Sequence, residues 1–132
     1  MTESQKLKVF LVDDDKFLVD MYSLKFQHNG FDVNTALGPN DAFTKLRAGY
    51  VPDIMMVDVV MPVMDGIEFI AKAKEEGLAK DSIIVVLTNQ GQQSDIDRAK
   101  AVGVHGYIVK ASTIPSEVLA EVKGIYEANH KK

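Results

Sequence analysis

The sequence predicts an α/β domain in which a five-stranded parallel sheet carries helices on both faces. Apolar runs of strand length alternate with segments of helical period, and the connections between them are short. Three of these runs, VFLV, IMMV and IIVVLT, are apolar without alternation, which is typical of parallel strands covered on both faces. A chain with this order of elements builds its sheet through right-handed crossovers.

The predicted strands cover residues 9–12, 31–36, 54–58, 83–88 and 107–110. The second of them begins FDVNT and alternates apolar with polar residues, so we expect it at an edge of the sheet.

The segment after the first strand repeats large side chains at helical spacing, at Phe17, Met21, Leu24 and His28. An Asn-Gly pair then gives a stop signal. Asp15 stands before this segment, and we expect it to cap the helix. Further helices are predicted over residues 39–49, 67–76 and 93–102, and the last begins near residues 113–115.

The composition is that of a globular protein and argues against several classes. The chain has 132 residues and no cysteine, so we expect one domain over residues 1–132, with a core at about 7–128, loose ends and no disulfide framework. The net charge is -4 with acids and bases interleaved, which argues against a nucleic-acid-binding surface. No apolar run approaches membrane-spanning length and no signal peptide is recognised, so we expect a cytoplasmic protein without a membrane partner.

Polar and charged side chains stand at the predicted carboxyl ends of four strands. Asp13 and Asp14 follow the first strand, Asp58 ends the third, Thr88 the fourth and Lys110 the fifth. In open α/β sheets, ligands bind at this edge, near the point where the strand order reverses. We therefore expect these side chains to converge on one site.

The expected site has an excess of negative charge. Asp58 stands among apolar neighbours, and an ionised carboxylate removed from water is costly unless another charge pairs with it. Two carboxylates about 4 Å apart repel by about 4 kcal/mol at an effective dielectric of about 20, and Lys110 supplies only one positive charge. An oxygen-rich cluster without cysteine or histidine selects a hard cation, so we expect Mg²⁺ together with a phosphorylated group. An aspartate can itself be the nucleophile in such a site, and Asp58 is the best candidate.

Four stretches of the sequence resemble the receiver domain of two-component response regulators. They are FLVDDD at 10–15, VDVVMPVMDG at 57–66, VLT at 86–88 and GYIVK at 106–110. The resemblance covers essentially the whole chain, and the second stretch alone is a specific signal. It implies a flavodoxin-like receiver fold with strand order 2-1-3-4-5. It also implies a signalling module without small-molecule turnover, similar to the stand-alone chemotaxis regulators.

The resemblance implies a role for each acidic residue. Asp58 looks like the aspartate that takes a phosphoryl group from a phosphohistidine on a sensor histidine kinase or phosphotransfer protein. Asp14 looks like a direct Mg²⁺ ligand and Asp13 like a ligand that acts through water. Asp58 and the backbone carbonyl of Val60 would complete the protein ligands.

Three further residues look like the switch of such a receiver. Thr88 and Lys110 look like the pair that grips the phosphoryl oxygens. Tyr107 looks like the aromatic residue whose ring turns inward when Thr88 moves. The face formed by the fourth helix, fifth strand and fifth helix would then change and dock a downstream protein.

Two positions depart from the family pattern. Ala111 follows Lys110, where the family usually has a proline in a cis peptide bond, and a cis bond to alanine costs about 2.5–4 kcal/mol. We therefore predict that the Lys110–Ala111 bond is more often trans, or that a cis form is held under strain. Asn89 stands where the family prefers a small residue, and we predict altered rates of phosphotransfer or dephosphorylation.

Other function classes stand beside this one. An aspartyl-phosphate phosphatase would carry a second Asp two residues after the nucleophile, where this chain has Val60. A flavin-binding protein would carry a phosphate loop rich in Ser, Thr or Gly after the first strand, where this chain has three aspartates. A degenerate receiver that acts as a constitutive protein-binding module stays open because of Asn89 and Ala111.

Overall fold

Strands and helices alternate along the chain, as the sequence predicts. The computed structural model describes residues 6–88, 92–110 and 114–130. Within them the strands are β1 (Lys8–Val12), β2 (Asp32–Ala36), β3 (Ile54–Asp58), β4 (Ile83–Thr88) and β5 (Gly106–Val109). The helices are α1 (Lys16–His28), α2 (Pro39–Arg47), α3 (Gly66–Glu75), α4 (Gln93–Ala101) and α5 (Pro115–His130).

The five strands are parallel and lie in the order β2-β1-β3-β4-β5. This confirms the predicted fold class and strand order, and it places the alternating strand β2 at an edge. β2 lies on one side of β1, and the chain then crosses over to form β3 on the other side. The strand order therefore reverses between β1 and β3, where the carboxyl ends of the strands border a crevice.

Apolar layers cover both faces of the sheet. Every residue of β3 and β4 is buried, which explains why their sequences do not alternate. One layer centres on Phe10, Met55 and Phe69, and the other on Phe26 and Met56. Burial of each such side chain contributes about 1.5–3 kcal/mol, so the layers fix the strand ends that carry the polar residues.

The buried face of α1 differs from the stripe that its sequence pattern marks. Phe17 is 80% exposed and Leu24 is 56% exposed. Val19, Tyr22 and Phe26 are the residues that α1 buries. Both sets recur at helical spacing, so periodicity predicts the helix but not its rotation about its own axis.

Asp15 caps the N-terminus of α1, as predicted. Its carboxylate accepts hydrogen bonds from the backbone N–H groups of Phe17 and Leu18, at 3.0 and 3.3 Å. Among the described residues, no helix combines the length and the apolar character that crossing a membrane requires.

Candidate functional site

The register of the sheet brings the carboxyl ends of β1, β3 and β4 to one place. Asp58 pairs with Leu87, so Thr88 lies one residue beyond the partner of Asp58. β1 also pairs with β3, and Asp13 follows the last residue of β1. Asp13, Asp58 and Thr88 are all buried. The sheet therefore brings three of the predicted site residues together.

The turn after β1 supplies two of the carboxylates. Asp13 Oδ1 accepts a hydrogen bond from the backbone N–H of Asp15 at 3.0 Å. Asp13 is buried whereas Asp14 is exposed. Carboxylate oxygens of Asp13, Asp14 and Asp58 all lie within 4.8 Å of one another. The predicted convergence of the three acids is therefore confirmed.

Lys110 follows β5 and reaches into this group of acids. Its Nζ lies 2.9 Å from Asp58 Oδ1 and donates a hydrogen bond to Asp13 Oδ2 at 3.2 Å. The Lys110 side chain is only 7% exposed. Asp58 Oδ1 is buried, and no residue in the described part of the chain gives it a hydrogen bond of good geometry. Its charge is compensated through the ion pair with Lys110.

The opposed charges shift the acid–base equilibria of the site. Burial and the nearby Asp13 carboxylate raise the pKa of Asp58 to about 6, although the Lys110 ammonium lowers it. Burial would lower the pKa of Lys110, but Asp58 and Asp13 raise it above its ordinary value. At neutral pH the Lys110 ammonium therefore faces a carboxylate that is mostly ionised. A further cation would favour that ionised form.

The donor set fits a hard divalent cation. Among the described residues, three carboxylates face one ammonium at the site, which leaves an excess of negative charge. Mg²⁺ is usually held in proteins by one or two carboxylates with water and phosphate oxygens. Asp58 Oδ1, which is buried without a good hydrogen bond, is an atom that such a cation would satisfy. Asp13, Asp14 and Asp58 could therefore hold Mg²⁺.

The backbone after Asp58 is fixed by hydrogen bonds on both sides. The Val59 N–H donates to the Leu87 carbonyl at 3.0 Å, and the Gly66 N–H donates to the Val59 carbonyl at 2.8 Å. The Val60 side chain is 66% exposed. Its apolar side chain leaves only the backbone carbonyl of Val60 as a donor of oxygen to the site.

The same loop contains a strained turn. Val63 has φ 76°, and the Met64 N–H donates to the Pro62 carbonyl at 2.8 Å. This is a γ-turn in its rare form, in a region that β-branched residues seldom adopt. Such strain clusters at functional sites, which agrees with the position of the turn beside Asp58.

Tyr107 lies on the edge strand β5 and is half-buried. Its side chain packs against the apolar layer that includes Ala99 of α4. It also lines a groove of about 150 Å³ between α4 and β5. Thr88 ends the neighbouring strand and pairs with Val109, two residues after Tyr107. Thr88 and Tyr107 are thus on adjacent strands, and their switching roles stay predictions.

Two sequence predictions lie outside the described residues. They concern Asn89 and the Lys110–Ala111 peptide bond, and both stay predictions.

Two polar contacts were not predicted from the sequence, one beside the site and one at the amino ends of β4 and β5. Arg98 of α4 forms an ion pair with Asp65, at 2.7 Å between Nη2 and Oδ2. The backbone N–H of Ile84 donates a hydrogen bond to His105 Nδ1 at 3.0 Å. The partners are 33 and 21 positions apart, and no short motif connects them.

Known proteins share this sequence pattern. The response regulator receiver domain family matches residues 9–123. The chemotaxis protein CheY of Halobacterium salinarum is 30% identical over 109 residues, which are 83% of this chain and 88% of that protein. The phosphate regulon transcriptional regulatory protein PhoB of Escherichia coli is 29% identical over 118 residues. That match covers 89% of this chain but only 51% of PhoB, so the chain spans about half the length of this relative.

A solved structure shares the architecture. The chemotaxis protein CheY4 of Vibrio cholerae aligns with a TM-score of 0.83 and 31% identity, over 91% of this chain and 98% of that one. Receiver domains act in phosphorylation-dependent signalling, and their acidic pocket is present here. Because the family match spans most of the chain and includes the strand-end residues, this protein belongs to the response regulator receiver domain family.

Proposed function

We propose that this chain accepts a phosphoryl group on Asp58 and that the aspartyl phosphate is its signal. One observation carries the proposal: Lys110 Nζ lies 2.9 Å from Asp58 Oδ1 at a buried strand end. Phosphoryl transfer needs a positioned nucleophile and cationic groups aimed at the phosphoryl oxygens. Asp58 and Lys110 supply these two elements.

The donor is a phosphohistidine on a sensor histidine kinase or phosphotransfer protein. A carboxylate oxygen of Asp58 attacks phosphorus, and the N–P bond of the donor breaks as the O–P bond forms. The imidazole nitrogen keeps the electron pair of the broken bond. The Lys110 ammonium and the Thr88 hydroxyl then bind the phosphoryl oxygens. The reaction modifies the chain itself, so we propose no small-molecule turnover.

Mg²⁺ would be the cofactor of this reaction. Asp14 would hold it directly and Asp13 through a water, and Asp58 and the backbone carbonyl of Val60 would complete the protein ligands. When bound, the cation neutralises charge that develops on the phosphoryl oxygens. The closely spaced carboxylates of Asp13, Asp14 and Asp58 support this assignment.

Thr88 and Tyr107 carry the signal away from Asp58. Thr88 moves toward the phosphoryl group, and the Tyr107 ring turns inward beside it. The face formed by α4, β5 and α5 then changes and docks a downstream protein. In free-energy terms, the phosphoryl group shifts the populations of two arrangements that exist beforehand. The groove of about 150 Å³ beside Tyr107 supports the choice of this face.

Incubation with Mg²⁺ and a small acyl phosphate donor tests the proposal. Intact-mass measurement is expected to show one added phosphoryl group on the parent and none on Asp58→Asn. Asp14→Asn should react much more slowly at the same Mg²⁺ concentration. Asp20→Asn is the control, because this exposed acid pairs with Lys16 on α1, and it should react like the parent. A parent that stays unmodified, both here and with phosphorylated kinase, would instead favour a module that only binds proteins.

A further inference from the structure

Arg98 ties helix α4 to the loop that follows Asp58. Its guanidinium contacts Asp65 at 2.7 Å and Asp95, on its own helix, at 3.4 Å. We propose that Arg98 is a positioning residue for the cation site, because it holds Asp65 and thereby the loop that carries the Val60 carbonyl. This inference rests on the function proposed above.

Asp65 connects the ion pair to the start of α3. Its Oδ1 accepts a hydrogen bond from the Glu68 N–H at 2.9 Å, and Glu68 Oε1 accepts one from the Asp65 N–H at 3.2 Å. This reciprocal pair is a capping box, which fixes the first turn of the helix. Burial would raise the pKa of Asp65, but the Glu68 N–H and the Arg98 guanidinium hold it below its ordinary value. Asp65 therefore stays ionised and available to Arg98.

The first turn of α3 is in direct contact with the site backbone. Gly66 donates its N–H to the Val59 carbonyl at 2.8 Å, and its α-carbon lies against the Asp58 carbonyl. Val60 lies between these anchored positions and Asp65. A shift of Asp65 would therefore move the backbone at Asp58 and Val60 without any intervening flexible side chain.

Helix α4, which carries Arg98, has only a small buried apolar contact. Ala99 is its buried residue, whereas Ile96 is only half-buried. The side chains of Arg98 and Asp65 are 43% and 29% exposed. Exposed ion pairs of this kind change equilibria by small factors, so the expected effect is modest. By linkage, a contact that tightens cation binding is itself strengthened when the cation binds.

The sign of the effect separates positioning from charge repulsion. Removal of a positive charge from α4 reduces the repulsion of Mg²⁺, so a through-space effect alone would strengthen Mg²⁺ binding. Loss of a positioning contact loosens the ligands and weakens Mg²⁺ binding. The two explanations therefore predict opposite changes for Arg98→Gln.

A Mg²⁺ titration of the full chain, followed through backbone amide resonances of the site, measures this change. Arg98→Gln should weaken Mg²⁺ binding by about two- to fivefold, and Arg98→Lys should recover part of the loss. Lys100→Gln removes the same charge from an exposed position on α4 and should leave binding unchanged or slightly tighter. In an Asp65→Asn background, which keeps a capping side chain, Arg98→Gln should have no further effect.

Several results would overturn the inference. Equal or tighter Mg²⁺ binding by Arg98→Gln would do so, even with a lower unfolding temperature, because Arg98 would then be purely structural. A full effect of Arg98→Gln in the Asp65→Asn background would exclude the route through Asp65. A parent chain that binds no Mg²⁺ would overturn the proposed function itself and this inference with it, so the two failures are distinguishable.

Discussion

Gly66 at the start of α3 lies directly against the backbone carbonyl of Asp58. A Cβ added at Gly66 would stand 2.0 Å from that carbonyl oxygen and 2.9 Å from the carbonyl carbon. Both distances are far inside van der Waals contact, and the atoms concerned belong to the backbone of a buried strand. The candidate site is therefore built on a close approach that only glycine permits.

We predict that Gly66→Ala destabilises the chain and displaces Asp58. The free energy of unfolding should fall by about 1–3 kcal/mol, because the clash is with backbone that cannot rotate away. Denaturant unfolding measures this loss. Phosphorylation by an acyl phosphate should also slow, since Asp58 and the start of α3 must move apart.

Gly124→Ala is the matched control. Gly124 lies within α5, and a Cβ added there would meet no heavy atom within 4 Å. This substitution should raise the free energy of unfolding by about 0.5–1 kcal/mol, since alanine loses less entropy in a helix. If both variants unfold at the same denaturant concentration, Gly66 does not lie as close to the Asp58 carbonyl as described.

The raised pKa of Asp58 predicts a pH-dependent cost of folding in the metal-free chain. Burial and Asp13 raise this pKa from 3.8 to about 6. The stabilising contribution of the protonated form is therefore complete below the unfolded-state pKa and is lost as the pH rises through about 6. Asp58→Asn should raise the free energy of unfolding by roughly 2–3 kcal/mol at about pH 7.5, and much less at about pH 4.5.

Chemical denaturation of both proteins at the two pH values checks this expectation. Excess Mg²⁺ at neutral pH should stabilise the parent more than Asp58→Asn, because a ligand that binds only the native state adds to its stability. A difference between parent and variant that is the same at both pH values would rule out the titration of Asp58 as its origin.

His105 should make the junction of β4 and β5 sensitive to acid. Its Nδ1 accepts the Ile84 N–H at 3.0 Å, and its own backbone N–H donates to the Ile84 carbonyl at 2.8 Å. Burial and the Lys74 ammonium lower the pKa of His105. Protonation of His105 Nδ1 would place its N–H against the Ile84 N–H, and the hydrogen bond would be lost. The stabilisation by this bond is therefore present above the unfolded-state pKa of about 6.5, and it is lost as the pH falls through the lower pKa of the native state.

His105→Asn separates the hydrogen bond from the titration. The asparagine Oδ1 stands at the same position along the side chain as Nδ1 and accepts the same bond without protonating. We predict parent-like stability at about pH 8 and a smaller loss toward about pH 5, measured by thermal unfolding. His28→Asn removes an exposed histidine of α1 as a control. The role assigned to His105 fails if its variant follows the same pH profile as the control.

The strand ends could be predicted because each polar residue follows an apolar run and parallel strands end at one edge. These two observations were enough to predict that Asp13, Asp58 and Lys110 lie at the same edge of the sheet. The rotation of α1 could not be predicted, since Phe17 and Phe26 both fit a helical period while only Phe26 is buried. Periodicity predicts the spacing of the apolar residues, but it does not predict which face of the helix packs on the sheet.

Contacts between distant elements were also beyond the sequence pattern. In the sequence, Arg98 is one of several charged residues on a predicted helix, and Asp65 stands just before another predicted helix. Only the packing of α4 beside α3 brings their side chains to 2.7 Å. His105 belongs to none of the sequence motifs, and its bond to Ile84 depends on the register of β5.

The proposed signalling chemistry depends on the phosphoryl group residing on Asp58. Borohydride reduces an aspartyl phosphate to homoserine, and tandem mass spectrometry of the digested chain locates the converted residue. After treatment with Mg²⁺ and an acyl phosphate, we expect homoserine at position 58 and nowhere else. Homoserine at Asp13 or Asp14, or conversion at position 58 that does not require Mg²⁺, would contradict it.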